Sequence, residues 1–174
     1  MNKVLIAVDE TEGSKSVLSV FCNMVRPPES VVLVHVQQLE GKSLMIDMLG
    51  EAEISTLRES LKGTEYKEAL DRKSEKILNF YRKELDNGGL VNVKSVVRTG
   101  IPAEEIMKVA QEEGADLIIT GYNGKTFMQR MISGSVSKEV EKNAPVPVLV
   151  AKTPTEAEKF AWSGAAALNL KGSN

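Results

Sequence analysis

Ala115-Asp116-Leu117-Ile118-Ile119-Thr120-Gly121-Tyr122-Asn123-Gly124, then nine residues, then Gly134-Ser135-Val136-Ser137, is the stretch that decides how this chain folds. Leu117 to Thr120 is a short apolar, β-branched run after Gly114, the pattern of a strand buried on both faces. Gly121 follows at once, where glycine lets the backbone take a positive φ and lets another molecule come close. Gly134 to Ser137 opens a segment that reads as a helix over 137–143. The free N–H groups of its first turn, with the hydroxyls of Ser135 and Ser137, make a ready anion site. A strand end and a helix start, both lined by glycine, point to a phosphate cradle.

Two stricter phosphate motifs fail. A P-loop ending in Gly124-Lys125-Thr126 needs its first glycine at position 119, which is Ile119. No Gly-x-Gly-x-x-Gly occurs, so the dinucleotide fingerprint is absent. What remains is Gly-x2-Gly-x9-Gly-Ser, and with it Val4-Leu-Ile-Ala-Val-Asp9, Val32-Leu-Val-His-Val36, Gly100-Ile-Pro102-Ala-Glu-Glu-Ile106 and Pro147-Val-Leu-Val150. In order and spacing these landmarks resemble the universal stress protein family in its ATP-binding branch, over residues 1–152.

The chain has 174 residues, a length suited to one domain with a sizeable core. Its 22 Lys+Arg against 24 Asp+Glu give a formal charge of −2, which argues against a nucleic-acid stripe or a membrane-binding face. Cys22 is the single cysteine, so no disulfide forms within the chain, and its apolar helical setting reads as a small core residue. Met1-Asn2-Lys3 runs straight into a strand pattern without a signal peptide, and no apolar run approaches the ~20 residues of a membrane span. The expectation is a cytoplasmic protein.

Val4 to Val8 is a continuous apolar run, hence a central strand ended by Asp9. Residues 11–14 carry turn and N-cap chemistry for a helix to about Arg26, stopped by Pro27-Pro28. Residues 31–36 are a second buried strand. Residues 37–64 read as a helical insertion of one or two pieces, interrupted by Gly50. A long helix spans about 66–87, with Leu70, Ile77, Tyr81 and Leu85 on one face. Residues 91–98 form a third, more exposed strand. Pro102, Glu104 and Glu105 suit a helix start and Gly114 its end. Residues 146–151 are the last strand, and Pro147, which cannot donate to a ladder, puts it at an edge. The tail 153–174 matches no pattern. It stays open between a short helix at 165–168 and a partly disordered end.

Alternating strands and helices give an α/β fold, a single parallel sheet with helices on both faces, Rossmann-like. The resemblance implies five strands in the order 3-2-1-4-5, with the ligand at the reversal between strands one and four. It also implies a homodimer through the 146–151 edge.

Asp9 at the end of strand one suits a ribose or the metal of a bound nucleotide, with a turn or capping aspartate as the alternative. Gly121, Gly124 and Gly134, with Ser135, Val136 and Ser137, form the expected phosphate site. In the family's pose Asn123 faces the phosphates, Thr120 and Val36 edge the base and ribose pocket, and Ala7 and Val8 add backbone and surface. Lys125 and Arg130 read as solvated surface cations, and His35 as a satisfied core histidine. No nucleophile, base and orienter occur together, so no catalytic residue is named. The expected function is ATP binding, with Mg or Mn, by a nucleotide-dependent switch or adaptor in stress response. The alternatives are a slow ATPase, or a module for AMP or a signalling nucleotide.

Overall fold

The computed structural model describes residues 1–37, 50–87, 89, 92–122 and 135–152. Val4, Leu5, Ile6, Val31, Leu33, Ile118 and Ile119 are wholly buried. Runs so uniformly apolar must be covered on both faces, and they form the middle of the sheet. The strands are β1 (Lys3–Ala7), β2 (Ser30–Gln37), β3 (Val93–Thr99), β4 (Leu117–Gly121) and β5 (Val148–Ala151). All pair in parallel, in the order β3-β2-β1-β4-β5. Fold class and strand order are those the sequence and its resemblance led us to expect.

The described helices are α1 (Glu12–Met24), α2 (Glu51–Leu61), α3 (Glu65–Asn87), α4 (Pro102–Glu113) and α5 (Val136–Asn143). Thr11 caps α1, its hydroxyl accepting the Ser14 amide. α4 begins on a proline, carries Glu104 and Glu105 in its first turn, and closes on Gly114 at φ 63°.

The sheet separates two cores. On one face α1 and α3 bring Val17, Phe21, Leu78, Tyr81 and Leu85 onto Val4, Ile6, Val31, Leu33 and Ile119. On the other, α4 and α5 bring Ala103, Ile106, Val109, Ala110 and Val140 onto Leu5, Val32, Val34 and Ile118. Each fully buried aliphatic side chain contributes about 1.5–3 kcal/mol. β5 pairs with β4 alone, so it is an edge strand, and Pro147 just before it accepts the Ile118 N–H through its carbonyl. β3 is the other edge. Lys94, Ser95 and Val97 are exposed there, and Lys94 and Arg98 bind Glu113 and Glu112 of α4.

Several expectations change. Cys22 is exposed rather than a core residue, on the flank of the α1 stripe. Gln37 is the last residue of β2 and 2% exposed, so the strand keeps a residue that the insertion was expected to begin with. Within that insertion the described helix is α2, and 38–49 lie outside the described residues. On α3 it is Leu78, with Tyr81 and Leu85, that is fully covered, while Ile77 is partly buried. The tail 153–174 lies outside the described residues.

Candidate functional site

The strand order reverses around β1, so the C-terminal ends of β1, β2 and β4 open a crevice at the centre of the sheet. The α4/α5 face supplies one wall. Ala7, Val36 and Val136 are only partly buried there, at the margin of the core. Thr120 follows Ile118 by two residues on β4 and so shares its face. It is 3% exposed, and among the described residues its Oγ1 finds no hydrogen-bond partner. A buried hydroxyl left unpaired costs about 1–3 kcal/mol, so native structures rarely keep one without a purpose.

α5 starts next to this wall. Ser135 is its N-cap residue but its side chain makes no capping bond. Its Oγ lies 3.1 Å from that of Ser137, and its carbonyl accepts the Glu139 N–H. The amides ahead of Glu139 have no partner within the helix, and the two hydroxyls stand beside them.

The opposite wall is knit tightly. Val8 donates its amide to the Val34 carbonyl at 2.9 Å, and its own carbonyl accepts from His35 Nδ1 at 2.9 Å. Both main-chain groups of Val8 therefore have protein partners, and its side chain, 4% exposed, belongs to the α1/α3 core. His35 is the satisfied core histidine expected. Asp9 Oδ1 accepts from the Thr11 amide at 2.8 Å and the Thr11 hydroxyl at 2.6 Å. This is the local turn foreseen as the alternative, yet it uses one carboxylate oxygen, and among the described residues Oδ2 has no hydrogen bond. The Asp9 amide donates to Ser14 Oγ at 2.9 Å, and the Tyr81 hydroxyl lies 2.9 Å from Ser14 Oγ and 3.3 Å from the Asp9 carbonyl.

Gly121 departs from one of its two expected reasons for being glycine. It does not take a positive φ. A Cβ on it would stand 2.5 Å from the Gly13 carbonyl oxygen and 2.8 Å from the Ser14 amide nitrogen. The first turn of α1 thus crosses the end of β4 backbone against backbone, which brings Asp9, Ser14 and Gly121 to one corner. Beyond it the Tyr122 amide donates to the Ala151 carbonyl at 2.6 Å, and Lys152 Nζ stands 5.7 Å from the Tyr122 ring centroid. Asn123, Gly124, Gly134, Lys125 and Arg130 lie outside the described residues.

Beside the crevice, Gln37 ends β2 in a polar knot. Its Nε2 donates to Asp71 Oδ1 and Ser74 Oγ, each at 2.8 Å, and its Oε1 accepts from Thr99 Oγ1 at 2.9 Å and Lys67 Nζ at 3.1 Å. The Gln37 hydrogen bond, then that from Lys67, holds the Asp71 carboxyl below its ordinary range.

Comparison with known proteins fits this geometry. The model of the universal stress protein family matches residues 1–152. The chain belongs to that family. A universal stress protein of Methanocaldococcus jannaschii is 33% identical over 154 residues, which is 86% of this chain and 94% of the relative. The solved structure of that archaeal protein superposes with a TM-score of 0.65 at 32% identity, covering 89% of this chain and 98% of the other. An AMP-bound universal stress protein of Arabidopsis thaliana shares the fold at 19% identity and a TM-score of 0.59, over 90% of this chain and 95% of that one. A universal stress protein in complex with cAMP does so at 19% identity and a TM-score of 0.54, over 86% of this chain and 95% of that one.

In this universal stress protein the described residues at the strand ends share one feature. The unpaired Thr120 hydroxyl, the half-covered Ala7, Val36 and Val136, and the α5 start provide an apolar wall with few polar points and an anion-attracting end. Among the described residues no group of His, Cys, Asp and Glu is placed to hold a metal, and no helix is long and apolar enough to cross a membrane. The Thr11–Ser14–Tyr81 network was not foreseen. Thr11 and Ser14 are visible as capping chemistry, and Tyr81 as a polar-tipped residue on a buried stripe, but their meeting across 67 positions is a product of topology.

Proposed function

We propose that this member of the family binds ATP with a divalent cation, Mg or Mn, and works as a nucleotide-dependent switch or adaptor in stress response. The observation that carries the proposal is the buried, unpaired Thr120 hydroxyl beside the start of α5. A bound nucleotide would supply the partner that the described residues do not. Ala7, Val36, Thr120 and Val136 would flank base and ribose, and Ser135 and Ser137 with the α5 amides would meet phosphate oxygens. Asp9 would use its second carboxylate oxygen toward the ribose or the cation. Gly121, Asn123, Gly124 and Gly134 complete the proposed set. The cation would neutralise phosphate charge, and any hydrolysis would be slow.

The AMP- and cAMP-bound relatives support nucleotide binding within this fold and favour a second reading, in which a monophosphate is the ligand. Calorimetry decides between them. Tight binding of ATP with Mg that AMP and cAMP fail to displace is the expected result. Stronger binding of AMP or cAMP would move the assignment to the second reading, and no heat with any of them would end it.

We also propose a domain of 1–152, cytoplasmic localisation and a homodimer formed along β5. Val148, Leu149 and Val150 stay partly exposed on that edge strand, and pairing two copies would cover them. The 37–64 insertion is the proposed surface through which nucleotide state reaches a protein partner.

A further inference from the structure

We propose that Tyr81 is a positioning residue for the nucleotide site, acting through Ser14 and the main chain of Asp9. It rests on the reading above that Asp9 contacts the bound nucleotide. Tyr81 is 2% exposed and sits on α3, far from the crevice in sequence, yet its hydroxyl reaches the loop between β1 and α1. A small ring of contacts closes there. The Asp9 amide donates to Ser14 Oγ at 2.9 Å, and the Tyr81 hydroxyl donates to Ser14 Oγ at 2.9 Å and to the Asp9 carbonyl at 3.3 Å.

Each of the three Asp9 groups is then held by a different residue: the amide by Ser14, the carbonyl by Tyr81, one carboxylate oxygen by Thr11. With both peptide groups pinned, the carboxylate cannot swing by backbone rotation, and Oδ2 keeps a fixed direction. Ser14 is itself 3% exposed and lies against Gly121, so the ring is locked from the β4 side as well. Any buried tyrosine needs a partner for its hydroxyl, and here that partner is the loop that carries Asp9, while the ring packs edge-on to Phe80 at 5.2 Å.

The test is a double-mutant cycle on the full chain, read by ATP affinity with Mg. Tyr81→Phe keeps the ring and its packing, and Ser14→Ala removes the middle of the ring by a second route. Asp9→Ala should weaken ATP about tenfold, the loss of one hydrogen bond from a charged group. Tyr81→Phe and Ser14→Ala should each weaken it about fivefold while thermal melting stays cooperative. In the Asp9→Ala background, Tyr81→Phe should cause no further loss, because nothing is left to position. Additive losses would make Tyr81 a structural residue only, and an unchanged affinity in Asp9→Ala would remove the group it is said to position. Either result overturns the proposal while wild-type binding stands. A wild-type chain that bound no ATP would instead overturn the functional reading and this inference with it.

Discussion

The two faces of the sheet are built from the same strands and finished differently. Under α1 and α3 the polar side chains that enter are satisfied in networks: Ser14 and Tyr81 with Asp9, Gln37 with Lys67, Asp71, Ser74 and Thr99. Under α4 and α5, Ala7, Val36 and Val136 are half covered, and Thr120 keeps a hydroxyl with no partner among the described residues. Hydrogen bonding completed inside the protein suits a scaffold, and under the proposed function the bonding left incomplete at a strand end is completed by the ligand.

Substitutions on each face should therefore separate stability from binding. Leu33→Ala, in the α1/α3 core, should cost about 3 kcal/mol in chemical denaturation and leave the ATP affinity of the folded fraction unchanged. A clear change in that affinity would erase the division between the faces. Gly121→Ala should cost about 2 kcal/mol, because the new methyl meets Gly13 backbone rather than a flexible side chain. Thr120→Val should do the reverse of Leu33→Ala. It removes the unpaired hydroxyl, so stability should hold or rise by about 1 kcal/mol while ATP binding falls about fivefold.

The smallest effect concerns acid. Asp71 is held low mainly by Gln37, Glu113 mainly by Lys94, and Asp116 mainly by the Lys3 and Asn2 amides. Carboxyls lowered in the folded state add stability that is full above about pH 5 and is lost as pH falls through and below about 4. Melting temperature should drop over that range, and Asp71→Asn should flatten part of the drop. Because Asp71 is half exposed, solvent screening keeps its share small.

Much of the architecture was legible in the sequence for a simple reason. Buried parallel strands are continuous apolar runs, and β1, β2 and β4 show them plainly. Helix ends carried by Thr11, Pro102 and Gly114 were readable because capping is local chemistry. Gln37 misled because a polar residue at the end of an apolar run looks like the start of a loop, and its four partners come from β3 and α3. The positive φ expected at Gly121 failed for a related reason. A positive φ and a close neighbour both select glycine, and the sequence does not reveal that Gly13 is the neighbour. Of the expected site, Ala7, Val36, Thr120 and Val136 do gather on one face, whereas Val8 turns its side chain to the other.

The crossing at Gly13 and Gly121 has a mechanical side. Main chain bearing on main chain has no side-chain rotamer to absorb a shift, so a displacement of one loop becomes a displacement of the other. Any side chain at position 121 would have to wedge the first turn of α1 away from the exit of β4.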